Sequence, residues 1–146
     1  MLRDKGKTLA VAESCTGGLV SDLITNMPGI SHHFLAGLVT YSNDSKIELL
    51  GVSKSTLESH GAVSEQAARE MARGVRARVR ADIGAAVTGI GGPGGGTPEK
   101  PVGLVHFAVD DGQKVVVDRI VFPGDRLQVK RSSAERLISM ISDVLR

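Results

Sequence analysis

Leu9-Ala10-Val11-Ala12-Glu13-Ser14-Cys15-Thr16-Gly17-Gly18 decides how the chain is read. An apolar run ends in a polar stretch and then a glycine pair, the pattern of a short buried strand that stops and turns. The strand is expected over residues 7–13, and a helix over 16–26. Met27-Pro28-Gly29 stops that helix, because proline has no amide to donate and glycine accepts the left-handed cap. Residues 34–41 read as a second strand. Asn43 is the expected N-cap of a short helix to Leu50, which Gly51 ends. Ser53 caps another brief helix to 59. Ser64 heads the longest, 65–79, in which Ala68, Met71, Ala72 and Val75 recur at helical spacing. A third strand is expected over 81–88 and a fourth over 102–109. Asp110-Asp111-Gly112 reads as a hairpin turn into a fifth strand over 114–122. Pro123-Gly124 breaks that strand, and Asp125 caps a last helix whose apolar face is Val129, Leu137, Ile138, Ile141 and Leu145. Strands alternate with helices early and form a hairpin late. That order argues for one α/β domain over residues 1–146, with three α/β/α layers around a mixed sheet.

Composition narrows the function classes. The chain has 146 residues, 41% hydrophobic and 23% charged, which suits one ordinary globular domain. Aromatics make up only 3%, with no Trp and one Tyr, so a stacking platform for single-stranded nucleic acid is not expected. A net charge of +2 gives no electrostatic footprint for nucleic acid either. The basic run Arg69, Arg73, Arg76, Arg78 and Arg80 spreads around a helix and reads as a solvated face. A single cysteine makes no internal disulfide. The N-terminus has no signal-peptide core and no run approaches the about 18 apolar residues of a membrane span, so a cytoplasmic protein is expected.

Three segments carry chemistry. Ser14 sits just before a helix N-terminus, where unpaired amides and the helix dipole favour a developing negative charge. The alternative is that Ser14 is a helix cap and the glycines serve packing. Cys15 is the rival nucleophile, yet no histidine stands in a context that would activate it; on a strand end Ser14 and Cys15 face opposite ways. Tyr41 and Lys46 flank the start of the next helix, and both reach Ser14 if the second strand lies beside the first. A lysine acts as base only when burial or a nearby cation lowers its pKa; otherwise Lys46 is an exposed helix lysine and Tyr41 a half-buried core residue. The loop Thr88-Gly89-Ile90-Gly91-Gly92-Pro93 fits the spacing of a dinucleotide fingerprint, but Pro93 and the glycines after it open no helix. What remains is an amide-rich turn suited to an anion, with Arg126 as a further phosphate contact, or else a flexible surface loop. No HExxH, CxxC or GxSxG motif is present, and neither metal nor cofactor is expected.

These segments together resemble the C-terminal domain of the CinA family, the competence/damage-inducible proteins, whose single-domain members act as nicotinamide-nucleotide amidases. The resemblance runs from Thr8 to the C-terminus. It rests on Ala12-Glu13-Ser14-Cys15-Thr16-Gly17-Gly18, Thr40-Tyr41-Ser42-Asn43 with Lys46, Gly61-Ala62-Val63-Ser64, Thr88-Gly89-Ile90-Gly91-Gly92-Pro93, Lys100-Pro101-Val102-Gly103 and Phe122-Pro123-Gly124-Asp125-Arg126. It implies hydrolysis of the carboxamide of nicotinamide mononucleotide, with Ser14, Lys46 and Tyr41 matching the family's catalytic serine, lysine and tyrosine. Substrate contacts are expected at Thr16, Gly17 and Gly18, whose amides would hold the oxyanion. Further contacts are expected at Asn43, Thr88, Gly89, Gly91 and Arg126, with the glycine loop and Arg126 on the phosphate. Family members begin with an extra helix before the first strand. Only about seven residues precede that strand here, so an apolar edge covered by a partner subunit, and hence a homodimer, is expected. Position 130 is lysine where relatives often carry arginine. The larger N-terminal domain of two-domain relatives has no match in this sequence, and no activity of that domain is carried over. The competing reading is a non-catalytic nucleotide-binding or assembly domain of the same family.

Overall fold

In the computed structural model, which describes residues 1–146, α1 (Leu2–Lys5), β1 (Leu9–Glu13), α2 (Leu19–Thr25) and β2 (Phe34–Val39) come first. Three helices follow: α3 (Asn43–Leu50), α4 (Lys54–His60) and α5 (Glu65–Val79). The chain ends with β3 (Ile83–Gly89), β4 (Leu104–Asp110), β5 (Val115–Val121) and α6 (Arg126–Val144). The strands form one five-stranded sheet in the order β2-β1-β3-β4-β5. β1 runs parallel to both β2 and β3, whereas β4 and β5 join antiparallel as the expected hairpin. Helices cover both faces, so the mixed three-layer α/β fold read from the sequence is the one observed.

Strand alternation sorts the core by size. Leu9, Val11, Val87, Val105, Phe107 and Val109 point to one face and pack with Val20 and Ile24 of α2 and Val129, Leu137 and Ile141 of α6. Ala10, Ala12, Ala86 and Ala108 point to the other and meet Leu50, Leu57 and the apolar stripe of α5. These short side chains let α5 settle close to the sheet. Gly84 takes this furthest, since a Cβ there would strike the Ala72 carbonyl.

Local capping sets the helix starts. Ser64 caps α5, its hydroxyl oxygen accepting from the Ala67 amide at 3.1 Å. Asp125 forms a capping box with Gln128 at the head of α6. On α3 the cap is Ser42 and not Asn43: the Ser42 hydroxyl accepts from the Ser45 amide at 3.1 Å, and Asn43 is the first helical residue. α2 starts at Leu19, later than expected, because Gly17 and Gly18 take φ of 60° and 108° and form a turn. The residues before β1 are not bare either. They form α1, which buries Leu2 against the α2/α6 core, although a groove of about 300 Å³ lined by Leu9, Ile24, Ile30, Ile141 and Leu145 stays open beside it. No helix is long and apolar enough to cross a membrane.

The topology places the site. β2 and β3 lie on opposite sides of β1, so the loops leaving the C-terminal ends of three parallel strands converge there, the crevice where open α/β sheets bind ligands. On the α5 side the packing is tight: a Cβ on Gly74 would land on the Leu50 carbonyl at the end of α3. Gly74→Ala would gain about 1 kcal/mol in an exposed helix. Here it is expected to cost about 2 kcal/mol through overpacking, read as a lower urea midpoint at unchanged slope.

Candidate active site

Ser14 directly follows β1, and its amide still donates to the Val87 carbonyl at 3.0 Å, so the sheet fixes its backbone. Continuing the alternation of Ala10 and Ala12 turns its side chain to the α5 face. Lys46 comes to the same place from α3. Only 1% exposed, it donates from Nζ to Ser14 Oγ at 3.0 Å, to the Thr40 carbonyl at 2.6 Å and to the Tyr41 carbonyl at 3.1 Å. None of its partners is a carboxylate. Burial therefore goes uncompensated and lowers its pKa from 10.5 to about 8. A neutral amine has two hydrogens and one lone pair. The two carbonyls take the hydrogens, which leaves the lone pair facing the Ser14 hydroxyl, the state a general base requires.

Cys15 turns the other way, half-buried against the α2/α6 core. Burial pushes its thiol up to about 12, so at neutral pH it is a protonated packing residue.

The turn after Ser14 is held from beneath by Glu13, which is 0% exposed. Its Oε1 accepts from the Thr16 hydroxyl at 2.6 Å and from the amides of Gly18 at 3.2 Å and Val20 at 2.9 Å. Its Oε2 accepts from the Ser21 amide at 2.9 Å and the Ser21 hydroxyl at 2.7 Å. A buried carboxylate requires such donors, and the start of α2 supplies them. Nothing local in the sequence marks this role beyond an acid closing an apolar run. The same bonds correct the expected oxyanion donors. The Gly18 amide is committed to Glu13 and the Gly17 amide to the Ser14 carbonyl at 3.1 Å. The amides without a protein partner are those of Cys15 and Thr16.

Tyr41 makes no side-chain hydrogen bond to Ser14 or Lys46. The residue is 62% exposed, its phenol oxygen accepts from Arg126 Nη2 at 3.0 Å, and its backbone carbonyl accepts from Lys46. Arg126, the first residue of α6, also donates from Nη1 to the Gly92 carbonyl at 2.7 Å. Its stem lies on Gly91, where a Cβ would stand 3.4 Å from Arg126 Cγ. One guanidinium thus ties the loop after β2 to the loop after β3, across the mouth of β1. The glycine loop is no free surface loop: Ile90 donates to Leu104 at 2.9 Å and Gly103 to Ile90 at 2.8 Å. Thr88 and Gly89 belong to its foundation, Thr88 buried and Gly89 partly exposed. The buried Thr88 hydroxyl donates to the Ala62 carbonyl at 2.9 Å, and a Cβ on Gly89 would come within 2.8 Å of the Leu104 carbonyl. Asn43 is exposed on the first turn of α3. Lys130, brought in by α6, hangs over Gly17 with Nζ 3.7 Å from where a Cβ would be, and makes no ion pair. The fold therefore gathers Ser14, Lys46 and the Thr16 amide, and rims them with Tyr41, Arg126, Gly91 and Lys130.

Two measurements test this geometry. Glu13→Gln replaces an acceptor oxygen with an NH2 that must face donors; it is expected to lower unfolding stability by about 3 kcal/mol, and an unchanged urea midpoint would contradict the role assigned to Glu13. For Lys46 the unfolded chain, at 10.5, binds more protons than the folded chain, at about 8. Stability should therefore rise with pH between those two values, by on the order of 3 kcal/mol. Lys46→Met should flatten that rise in unfolding measured across the window.

Comparison with known proteins places the chain among relatives. The CinA C-terminal domain family matches residues 1–145. A CinA-like protein of Chlorobaculum tepidum is 54% identical over 135 residues, covering 89% of this chain and 32% of that protein. The CinA-like protein of Thermotoga maritima is 49% identical over 134 residues, 92% of this chain and 33% of its own length. The chain spans about a third of the length of the curated relatives it matches. Among solved structures, the competence/damage inducible protein CihA from Agrobacterium tumefaciens superposes with a TM-score of 0.97 at 39% identity, over 99% of this chain and 89% of that one. A CinA superfamily protein from Escherichia coli gives 0.94 at 34% identity, over 98% and 83%. A family model spanning almost the whole chain and solved structures that superpose over nearly all of it lead to one conclusion: the chain belongs to the CinA C-terminal domain family.

Proposed function

We propose that this domain is a serine amidase that hydrolyses the carboxamide of nicotinamide mononucleotide to nicotinic acid mononucleotide and ammonia. The observation that carries the chemistry is the amine of Lys46, shielded from water, free of any carboxylate and 3.0 Å from Ser14 Oγ. The substrate is the one implied by the resemblance of the sequence motifs to those of the family's amidase members.

On this reading Lys46 takes the Ser14 hydroxyl proton as Oγ attacks the carboxamide carbon. The amides of Cys15 and Thr16 receive the oxyanion. The C–N bond then breaks, the Lys46 ammonium protonates the departing nitrogen, and ammonia leaves an ester on Ser14. Water attacks that ester while Lys46 again accepts a proton, and the carboxylate is released as Ser14 recovers its own. Tyr41 acts through its carbonyl, which holds the amine, and through its phenol, which holds Arg126. Arg126 and Lys130 supply positive charge at the rim for the nucleotide phosphate. Anchoring there orients the amide without touching the reacting carbon.

Ammonia release, with chelator present, tests the proposal. Ser14→Ala should fold and lose activity by several powers of ten, on the order of 4 kcal/mol or more, whereas Cys15→Ala should retain it. The rate at low substrate should climb as pH rises through about 8, where Lys46 loses its proton. Stabilisation by the nucleotide with no ammonia from the wild-type chain would instead establish a binding domain.

A further inference from the structure

Two motifs take no part in the Ser14 site: Gly61-Ala62-Val63-Ser64 and Lys100-Pro101-Val102-Gly103. The sheet register brings them together. Glu13 pairs with Val87, so Ser14 is level with Thr88; Thr88 pairs with His106, and His106 with Arg119. One rung of the sheet is therefore polar from β1 to β5 on the α5 face. At the middle of this rung, between its Ser14 end and its His106 end, the Ala62 carbonyl accepts from the Thr88 hydroxyl.

At the far end His106, Arg119 and Lys100 surround a cleft of about 260 Å³ beside the N-terminus of α5. His106 is 8% exposed, and its Nδ1 is buried without a hydrogen-bond partner. The Arg119 guanidinium has no ion-pair partner, while Lys100 Nζ is held by the His60 carbonyl alone. Ser64 caps the Ala67 amide, which leaves the amides of Glu65 and Gln66 without protein partners. Of the carboxylates at the rim, Glu65 is paired with Arg69 at 2.9 Å, and Glu99 stands on the loop. Burial and then repulsion from Arg119 and Lys100 hold the His106 pKa below its usual value, against a smaller pull from Glu65. The cleft thus gathers two cations and two unpartnered helix amides, with the Glu65 carboxylate already occupied by Arg69 and Glu99 left as a competing acceptor.

We infer that this cleft binds a phosphate-sized oxyanion, with Arg119, Lys100 and the free amides of α5 as donors and the His106 ring in its wall. Its anion comes either from free inorganic phosphate or from the phosphate of a second nucleotide, distinct from the one whose phosphate meets Arg126 and Lys130 at the Ser14 site. The inference does not rest on amidase activity, because neither Ser14 nor Lys46 lines the cleft.

The ring signals of His106 in isotope-labelled protein read the site directly. Titration with inorganic phosphate in chloride buffer is expected to shift them saturably. Arg119→Gln, at an exposed strand position, should weaken the apparent affinity on the order of tenfold, and Lys100→Gln gives the same test from the loop side. If nicotinamide mononucleotide moves the signals in Ser14→Ala protein and inorganic phosphate does not, the site stands with the nucleotide as its source of anion. Signals that neither compound moves, or a shift undiminished in both variants, overturn the inference. Every outcome is independent of turnover, so failure here is distinguishable from failure of the amidase reading.

Discussion

A carboxylate with no access to water must be surrounded by donors, and Glu13 is such a group. Meeting that demand shapes everything after β1. Three amides and two hydroxyls have to converge on one side chain, so the chain bends back at Gly17 and Gly18, and α2 begins with its amides aimed at the strand it has just left. The turn is left with two unclaimed donors, at Cys15 and Thr16, directly after the serine. What looks like a ready-made anion pocket at a glycine pair is therefore a pocket already filled by the protein's own acid. The open positions are displaced one step toward the nucleophile.

Neighbouring residues on this strand end solve opposite electrostatic problems on opposite faces. Glu13 is enclosed by donors under α2. On the other face Ser14 meets an amine whose remaining partners are uncharged carbonyls. Carbonyl dipoles hold the amine in place without supplying the full negative charge that would keep it protonated, which is why burial prevails in the Lys46 pKa. A carboxylate at either carbonyl position would hold the lysine equally well and disable it as a base.

What was legible in the sequence follows from the range of each interaction. α5 is found at its true boundaries because Ser64 and the Ala68-Met71-Ala72-Val75 stripe are local signals, and the strands are found because their apolar runs are short and flanked by turn residues. Ser42 and Asn43 are both good caps one residue apart, and only the backbone angles decide between them. Long-range contacts were out of reach. Arg126 meets Tyr41 across 85 residues, and Lys130 arrives over Gly17 from the same distant helix. Thr88, a promising polar residue beside a glycine loop, is turned inward by a carbonyl 26 residues away. Local sequence leaves Lys46 open between a base and an exposed helix lysine, and burial follows only once the sheet places Ser14 and β2 around it.

Two of the three contacts made by the Lys46 amine are with carbonyls only five and six residues upstream. The segment from Thr40 to Lys46 thus holds the amine with its own backbone, and the Thr40 amide, donating to the Glu13 carbonyl at 2.8 Å, pins that segment beside the serine's strand. The nucleophile is aligned by the sheet as a whole. Base and nucleophile thus hang from the same residue pair, Glu13 and Thr40, so any shift of β2 against β1 would move the amine relative to the serine.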